Sequence, residues 1–302
     1  MIVDRINSYL ASRVRTLDYG VLREATARAG VAVERQLMVE KVRSGISLST
    51  PLYCLRRAAY VHFGVPGEAP QPRATVTFLM GDMAELAVLA LAKLAGCDIG
   101  ITQSEVVLET PLGPIKGHID DLLHHDGRYY VVEVKSVTQQ GRDEFEADPV
   151  AWARKLGYYG QAQRYCAASQ SDGVVFVALC RDTGHLLEAV MPFDPVEIDH
   201  NMADYGLIAQ ALYPAQALYP SLPRGVATEA ELEKVQGAAK VPAEKVAIAV
   251  RSGSWYSWPT GRQILNWKCG YCPWKRPCWG DSLQEIEVVG GRPKWVITGE
   301  QT

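Results

Sequence analysis

Hydrophobic and polar positions change period twice along the chain. The first 45 or so residues are polar and helix-prone, predicting one or two helices that cap or dock. Residues 47–64, SLSTPLYCLRRAAYVHFG, open on Ser and Thr, carry a proline near the first turn and run into LRRAAYV, which predicts a capped helix with Cys54 near its start. In residues 76–96, Leu79, Met83, Leu86, Val88, Leu89 and Leu91 predict a mostly buried helix that Gly96 ends. A period of two then takes over in SEVVLETPLG and in PIKGHIDDLLHHDGRYYVVEVKSV. There two β-prone runs flank His125-Asp126-Gly127-Arg128, and Asp-Gly is a strong two-residue hairpin signal. Residues 149–168 read as an amphipathic helix, GVVFVALC at 173–180 as a buried strand, and LLEAVMPF, beyond the turn RDTGH, as another strand. Strands and helices therefore mix within one α/β domain.

Beyond residue 194 the pattern weakens. The tandem ALYPAQALYP at 211–220 is too short for a repeat architecture, and a helix is predicted over 227–240. The expected organisation is an N-terminal helical extension over 1–46, a core with the Cys54 helix over 47–194, an insertion or substrate-facing lobe over 195–262, and a cysteine cluster with a polar tail over 263–302.

Composition narrows the class only a little. Lys plus Arg number 31 and Asp plus Glu 34 among 302 residues, a net charge of −3 that excludes a broadly basic coat but permits a local basic groove. The chain has no apolar stretch of about 20 residues and no basic-then-apolar leader, so the expectation is a cytoplasmic protein without a membrane span. Seven cysteines, an odd number, do not make a disulfide scaffold.

With Asp126 and Gly127 as the loop, the hairpin register sets Asp120 opposite Glu133 and His118 opposite Lys135. Alternation then gathers all four on one face, with the two carboxylates about 5 Å apart at Cβ. Opposed carboxylates repel, raise each other's pKa and attract hard divalent cations. A neighbouring lysine orients or helps deprotonate a water and steadies phosphate charge, which together are the parts for metal-assisted phosphodiester hydrolysis. The same residues also describe a solvated hairpin face on which Lys135 bridges two acids.

Gly117-His118-Ile119-Asp120 followed by Glu133-Val134-Lys135 resembles the G-x-x-D and E-x-K core of the PD-(D/E)XK nuclease superfamily, in its RecB-like exonuclease branch. Gln161-Ala162-Gln163-Arg164-Tyr165 matches that branch's Q-x-x-x-Y, whose first and last residues share a helix face. The resemblance covers roughly residues 47–192 and 262–280. It implies an α/β restriction-endonuclease-like core with a mixed central sheet flanked by helices, plus a helical iron–sulfur lobe. It further implies that Glu85, Asp120 and Glu133 bind Mg²⁺ or Mn²⁺, that Lys135 positions the attacking water, and that Gln161 and Tyr165 support catalysis and the DNA strand. Glu85 stands four residues after Gly81, where CRISPR-associated iron–sulfur members usually carry histidine; glutamate agrees better with recombination and phage-type exonucleases.

Cys269, Cys272 and Cys278 form C-x₂-C-x₅-C, and a tetrahedral site needs a fourth soft ligand. Cys54 is the candidate. One cysteine before the core and three after it resemble the iron–sulfur RecB-like nucleases, implying a 4Fe–4S cluster that staples the domain; ligand types alone leave Zn²⁺ open. Cys97, Cys166 and Cys180 read as buried small hydrophobes. Arg56, Arg57, Lys275 and Arg276 are phosphate contacts or surface charge, and Trp267, Trp274 and Trp279 stack on bases or pack around the cluster. The implied activity is a metal-dependent DNA exonuclease acting from ends, on single strands, in repair, recombination or CRISPR adaptation. The rival is a non-catalytic DNA-end-binding or adaptor subunit of such a complex.

Overall fold

A computed structural model describes residues 1–37, 45–52, 54–69, 72–100, 103–210 and 272–279, and the backbone of three short strands near the C-terminus. The tandem at 211–220, the helix expected over 227–240, Trp267 and Cys269 lie outside the described residues. The chain divides into two units, Met1–Tyr53 with Pro70–Leu212 and Cys54–Ala69 with Tyr213–Thr302.

The first unit is mixed α/β. Its sheet holds five strands: β1 (Asp98–Ile99), β4 (Asp121–His125), β5 (Arg128–Val137), β6 (Gly173–Cys180) and β7 (Leu186–Pro192), in the order β1-β4-β5-β6-β7. All neighbours are antiparallel except β5 and β6, which run parallel. Asp126 and Gly127 take φ of 51° and 74°, the left-handed values that let a two-residue turn follow the strand twist, and Asp121 pairs with Val132 in the expected register. A separate hairpin joins β2 (Ser104–Thr110) and β3 (Gly113–Ile119).

Helices cover both faces. On one, α1 (Ile2–Ala11) and α4 (Pro72–Leu94) bury Ile2, Ile6, Val88 and Leu89 with Val132, Val134, Val175 and Val177, while α2 (Tyr19–Leu37) lies along α4. On the other, α5 (Gln139–Ala147), α6 (Pro149–Leu156) and α7 (Tyr158–Ser169) pack on β5 and β6, with Trp152 edge-on to Phe176. The helix expected over 149–168 is two, because Gly157 adopts φ 80° and ends α6.

Several expectations change. The run expected as one strand from 114 to 125 changes partner at Asp120: residues before it pair with β2 and those after it with β5. Residues 195–210 form α8 (Pro195–Gln210), part of the first unit, and the Cys54 helix, α3 (Leu55–His62), belongs to the second. Helix α4 is buried only in its C-terminal half, with Val76, Phe78 and Met80 each more than half exposed. Contrary to the expectation of no such stretch, α4 is long and apolar enough, by length and composition alone, to cross a membrane. Its acids Asp82 and Glu85 nevertheless pair with Arg35 and Arg28 of α2.

The second unit contains α3, a short helix α9 (Lys275–Trp279) and a three-stranded sheet of β8 (Gln263–Ile264), β10 (Lys294–Ile297) and β9 (Leu283–Ile286), in that order.

Candidate active site

Strand alternation puts Val132 and Val134 on the α1–α4 face and Glu133 and Lys135 on the other. Glu133, flanked by buried valines, is 2% exposed. Its Oε1 accepts from Lys135 Nζ and, at 3.2 Å, from Gln161 Nε2 of α7. Its Oε2 is buried with no hydrogen-bond partner. Leaving a buried carboxylate oxygen unpaired is costly, so this atom marks a place where a further group is wanted.

Asp120 sits where the chain leaves one sheet for the other. It is the residue next beyond the last ladder pair, so it does not bond across to Glu133; its Oδ2 instead accepts the Val134 N–H at 3.0 Å. Burial first, then the Glu133 and Glu85 charges, push its carboxyl well above the ordinary range. Burial pulls Lys135 down, but Glu133, Asp120 and the nearby Tyr158 outweigh this, so the ammonium is held above its usual value as a permanent cation rather than a base. Its Nζ lies 4.6 Å from the centre of the Tyr158 ring.

Gln161 and Tyr165 do share a face of α7, with Gln161 Nε2 donating to Tyr165 Oη at 3.4 Å. Burial, then Glu133 and Asp120, push the tyrosine hydroxyl up. Gly117 makes room for that ring: a Cβ there would lie 2.8 Å from Tyr165 Cε1 and 2.7 Å from Leu48 Cβ. Between Gln161 and Tyr165, Arg164 is 1% exposed and donates to the Leu48 and Thr50 carbonyls at 3.0 and 3.1 Å and to Asn201 of α8.

Glu85 enters this field from α4. Burial pushes its carboxyl up, Arg28 draws it back, and Glu133 pushes it up again. It is ion-paired with Arg28 and accepts from Gln103 Nε2 at 3.4 Å. Among the described residues no three His, Cys, Asp or Glu side chains stand as a ready-made ligand set for a metal ion.

The structure thus gathers Asp120, Glu133, Lys135, Gln161 and Tyr165, with Glu85 alongside. It does not bring in His118, which lies on β3, pairs with Glu105 of β2 and is exposed; it was placed opposite Lys135 by extending one register past the change of partner. Arg28, Gln103 and Tyr158 were not foreseen. Arg28 and Arg35 lie seven apart on α2 but Asp82 and Glu85 only three apart on α4, so charge spacing along the chain does not announce the pairing.

In the second unit, Cys54 caps the start of α3 and Cys278 lies in α9. Cys54, Cys272 and Cys278 are half-buried; burial pushes the Cys272 thiol up, and Cys54 adds to the push. Arg56 Nη1 donates to Cys278 Sγ at 3.7 Å from a side chain only 1% exposed, and Lys275 and Arg276 pair with Glu68. Arg56 and Lys275 are thus turned to internal partners, whereas Arg276 is 67% exposed. Trp274 packs by Gly67 and donates to the Val65 carbonyl at 2.7 Å, and Tyr60 Oη donates to the Pro277 carbonyl at 3.2 Å. Cys97, Cys166 and Cys180 are buried.

No family model and no curated protein matches the chain. A solved crystal structure, of SSO0001, is similar to it at 18% identity and a TM-score of 0.39, covering 62% of this chain and 87% of its own. A likeness of that size carries no argument about chemistry.

Proposed function

We propose that the chain is a metal-dependent DNA exonuclease of the PD-(D/E)XK type, its first unit a restriction-endonuclease-like core. One observation carries the reading: two buried carboxylates, Asp120 and Glu133, act on each other at the change of strand partner, and Glu133 carries the Lys135 ammonium and the α7 glutamine on one oxygen and no partner on the other. Such converging, perturbed acids mark sites of chemistry more often than sites of stability.

The residues fit a hard divalent cation. Asp120 and Glu133 offer carboxylate oxygens, and Glu85 adds a third carboxylate on release from Arg28. Bound Mg²⁺ or Mn²⁺ supplies the Lewis acidity that polarises a phosphoryl oxygen and makes a water acidic. The chain's own groups do the rest. Lys135, always charged, orients the attacking water and balances phosphate charge, Gln161 holds Glu133 in one rotamer, and Tyr165 borders the strand. The second unit fits a thiolate-bound group: Cys54, Cys272 and Cys278, with Cys269 to complete four, would hold a 4Fe–4S cluster or Zn²⁺ in a structural role. The substrate in this reading is single-stranded DNA with a free end, and the setting the cytoplasm, in recombination, repair or CRISPR adaptation.

The competing reading, a non-catalytic DNA-end-binding adaptor, draws on Glu85 being held by Arg28. An end-labelled linear single strand and a closed circle, incubated with Mn²⁺ at one stated salt concentration, separate the two. The nuclease degrades the line and spares the circle. Asp120→Ala, Glu133→Ala and Lys135→Ala each fall below about one hundredth of wild-type rate while staying folded. Binding of ends without Mn²⁺-dependent cleavage, or a near-wild-type rate in any of the three variants, overturns the catalytic reading.

A further inference from the structure

Helix α2 is joined to the fold in an unusual way for its length. Of its 19 residues only Val21 and Ala32 are buried, and Val31, Val33 and Leu37 are exposed. Polar pairs to α4 supply much of the attachment. Arg35 and Gln36 bond Asp82 at 3.0 and 2.8 Å, Lys93 reaches Glu24 at 3.6 Å, and Arg28 meets Glu85. The last pair differs from the others in burial. The Arg28 and Glu85 side chains are 16% and 13% exposed, whereas Arg35 and Glu24 are 42% and 37% exposed. A sheltered pair is poorly screened by salt and is stronger than its surface neighbours.

Glu85 is also, after Glu133, a carboxylate whose charge is felt at Asp120. An acid in that position has two suitors: the guanidinium already there, and any divalent cation held by Asp120 and Glu133. Arg28, and at 3.4 Å Gln103, already hold Glu85 Oε1, so a cation that takes this oxygen competes with the guanidinium.

We propose that Arg28 is a positioning residue that acts as an internal counter-cation, holding Glu85 away from the metal site, so that a divalent cation recruits Glu85 only by displacing Arg28. The inference rests on the metal-dependent reading above and adds that α2 sets the affinity for the ion. A site whose competent state is a fraction of the population binds with its affinity reduced by that fraction. Arg28→Met removes the competitor and keeps the length of the side chain. Mn²⁺ binding should tighten about tenfold, equivalent to about 1.4 kcal/mol. Arg28→Lys, a point charge in place of a planar fork, should fall between the two.

The measurement is Mn²⁺ affinity of the full chain without DNA, from the electron paramagnetic resonance signal of free Mn²⁺, with circular dichroism to confirm folding. Arg35→Met, which loosens the same helix pair without touching Glu85, should leave the affinity at the wild-type value. Glu85→Gln added to Arg28→Met should abolish the gain. Should Arg28→Met fail to fold, Arg28→Lys carries the test through its intermediate affinity. An unchanged or weaker affinity in the folded Arg28 variant, or equal tightening in Arg35→Met, overturns the inference; if Asp120→Asn still removes binding, the metal-dependent reading survives. Absence of Mn²⁺ binding in both wild type and the Arg28 variant overturns both.

Discussion

Replacing Gly117 with alanine tests whether the glycine of G-x-x-D is there for the tyrosine of Q-x-x-x-Y. A Cβ at 117 would stand 2.7 Å from Leu48 Cβ, 3.1 Å from Leu48 Cδ1 and 2.8 Å from Tyr165 Cε1. Carbon atoms in contact prefer about 3.5–4.0 Å, so the added methyl overlaps both neighbours by about 1 Å. Gly117 is not among the glycines with positive φ, so alanine suits the backbone and gains about 0.4–1 kcal/mol by narrowing the unfolded ensemble. Overpacking costs about 1–3 kcal/mol and outweighs that gain, for a net loss of about 0.5–2 kcal/mol. Relief comes by moving Leu48 or the Tyr165 ring, and a shift of the ring stretches the Gln161 contact from its present 3.4 Å. Urea unfolding in metal-free buffer measures the stability, and Mn²⁺-dependent cleavage of a labelled strand measures the effect on the site. A variant as stable as wild type would show that the two elements do not approach this closely, and the account of this glycine would be wrong.

Asp120→Asn should stabilise the metal-free protein by roughly 1 kcal/mol at neutral pH. The folded carboxyl titrates above its ordinary value near 3.8, so between those two points the folded state holds the extra proton and wild-type stability falls as pH rises. The variant's advantage should therefore grow from about pH 4 upward in parallel urea titrations, and an advantage that does not change with pH would refute the assignment. Anaerobically purified Cys54→Ala should lose iron, sulfide and brown colour as fully as Cys272→Ala, and both should melt earlier; Cys97→Ala, Cys166→Ala and Cys180→Ala should keep them. Stoichiometric zinc in place of iron would select the other metal.

The parts that the sequence made legible are those governed by local pattern. GVVFVALC became β6 over the expected residues, and Asp126-Gly127 set the β4–β5 register because two positive-φ residues admit few alternatives. That register placed Asp120, Glu133 and Lys135 together, and helical spacing placed Gln161 by Tyr165. What periodicity missed depends on partners distant in sequence. Alternation runs unbroken through His118, Asp120 and Leu122 and cannot tell that the strand changes partner, so His118 was put in the wrong ladder. Helix α8 was hidden because its inward stripe is short and opens on a polar residue: Asn201, which meets the buried Arg164, precedes only Tyr205 and Ile208. Arg28 acts through α4, and nothing in its own neighbourhood announces that partner.

The change of ladder at Asp120 separates two kinds of variation. Residues 104–119 keep register with one another and residues 121–125 keep theirs with β5, so the outer end of the hairpin ahead of the acid shares no ladder with the sheet behind it. The hairpin tip, where Thr110 Oγ1 donates to the Gly113 carbonyl at 2.8 Å and accepts the Leu112 N–H at 3.1 Å, is closed by its own bonds. Paired additions to both arms of that hairpin lengthen it outward without sliding Asp120 along β5. The surface it presents is thus free to diverge, by drift or by design, while the carboxylates behind it hold their spacing.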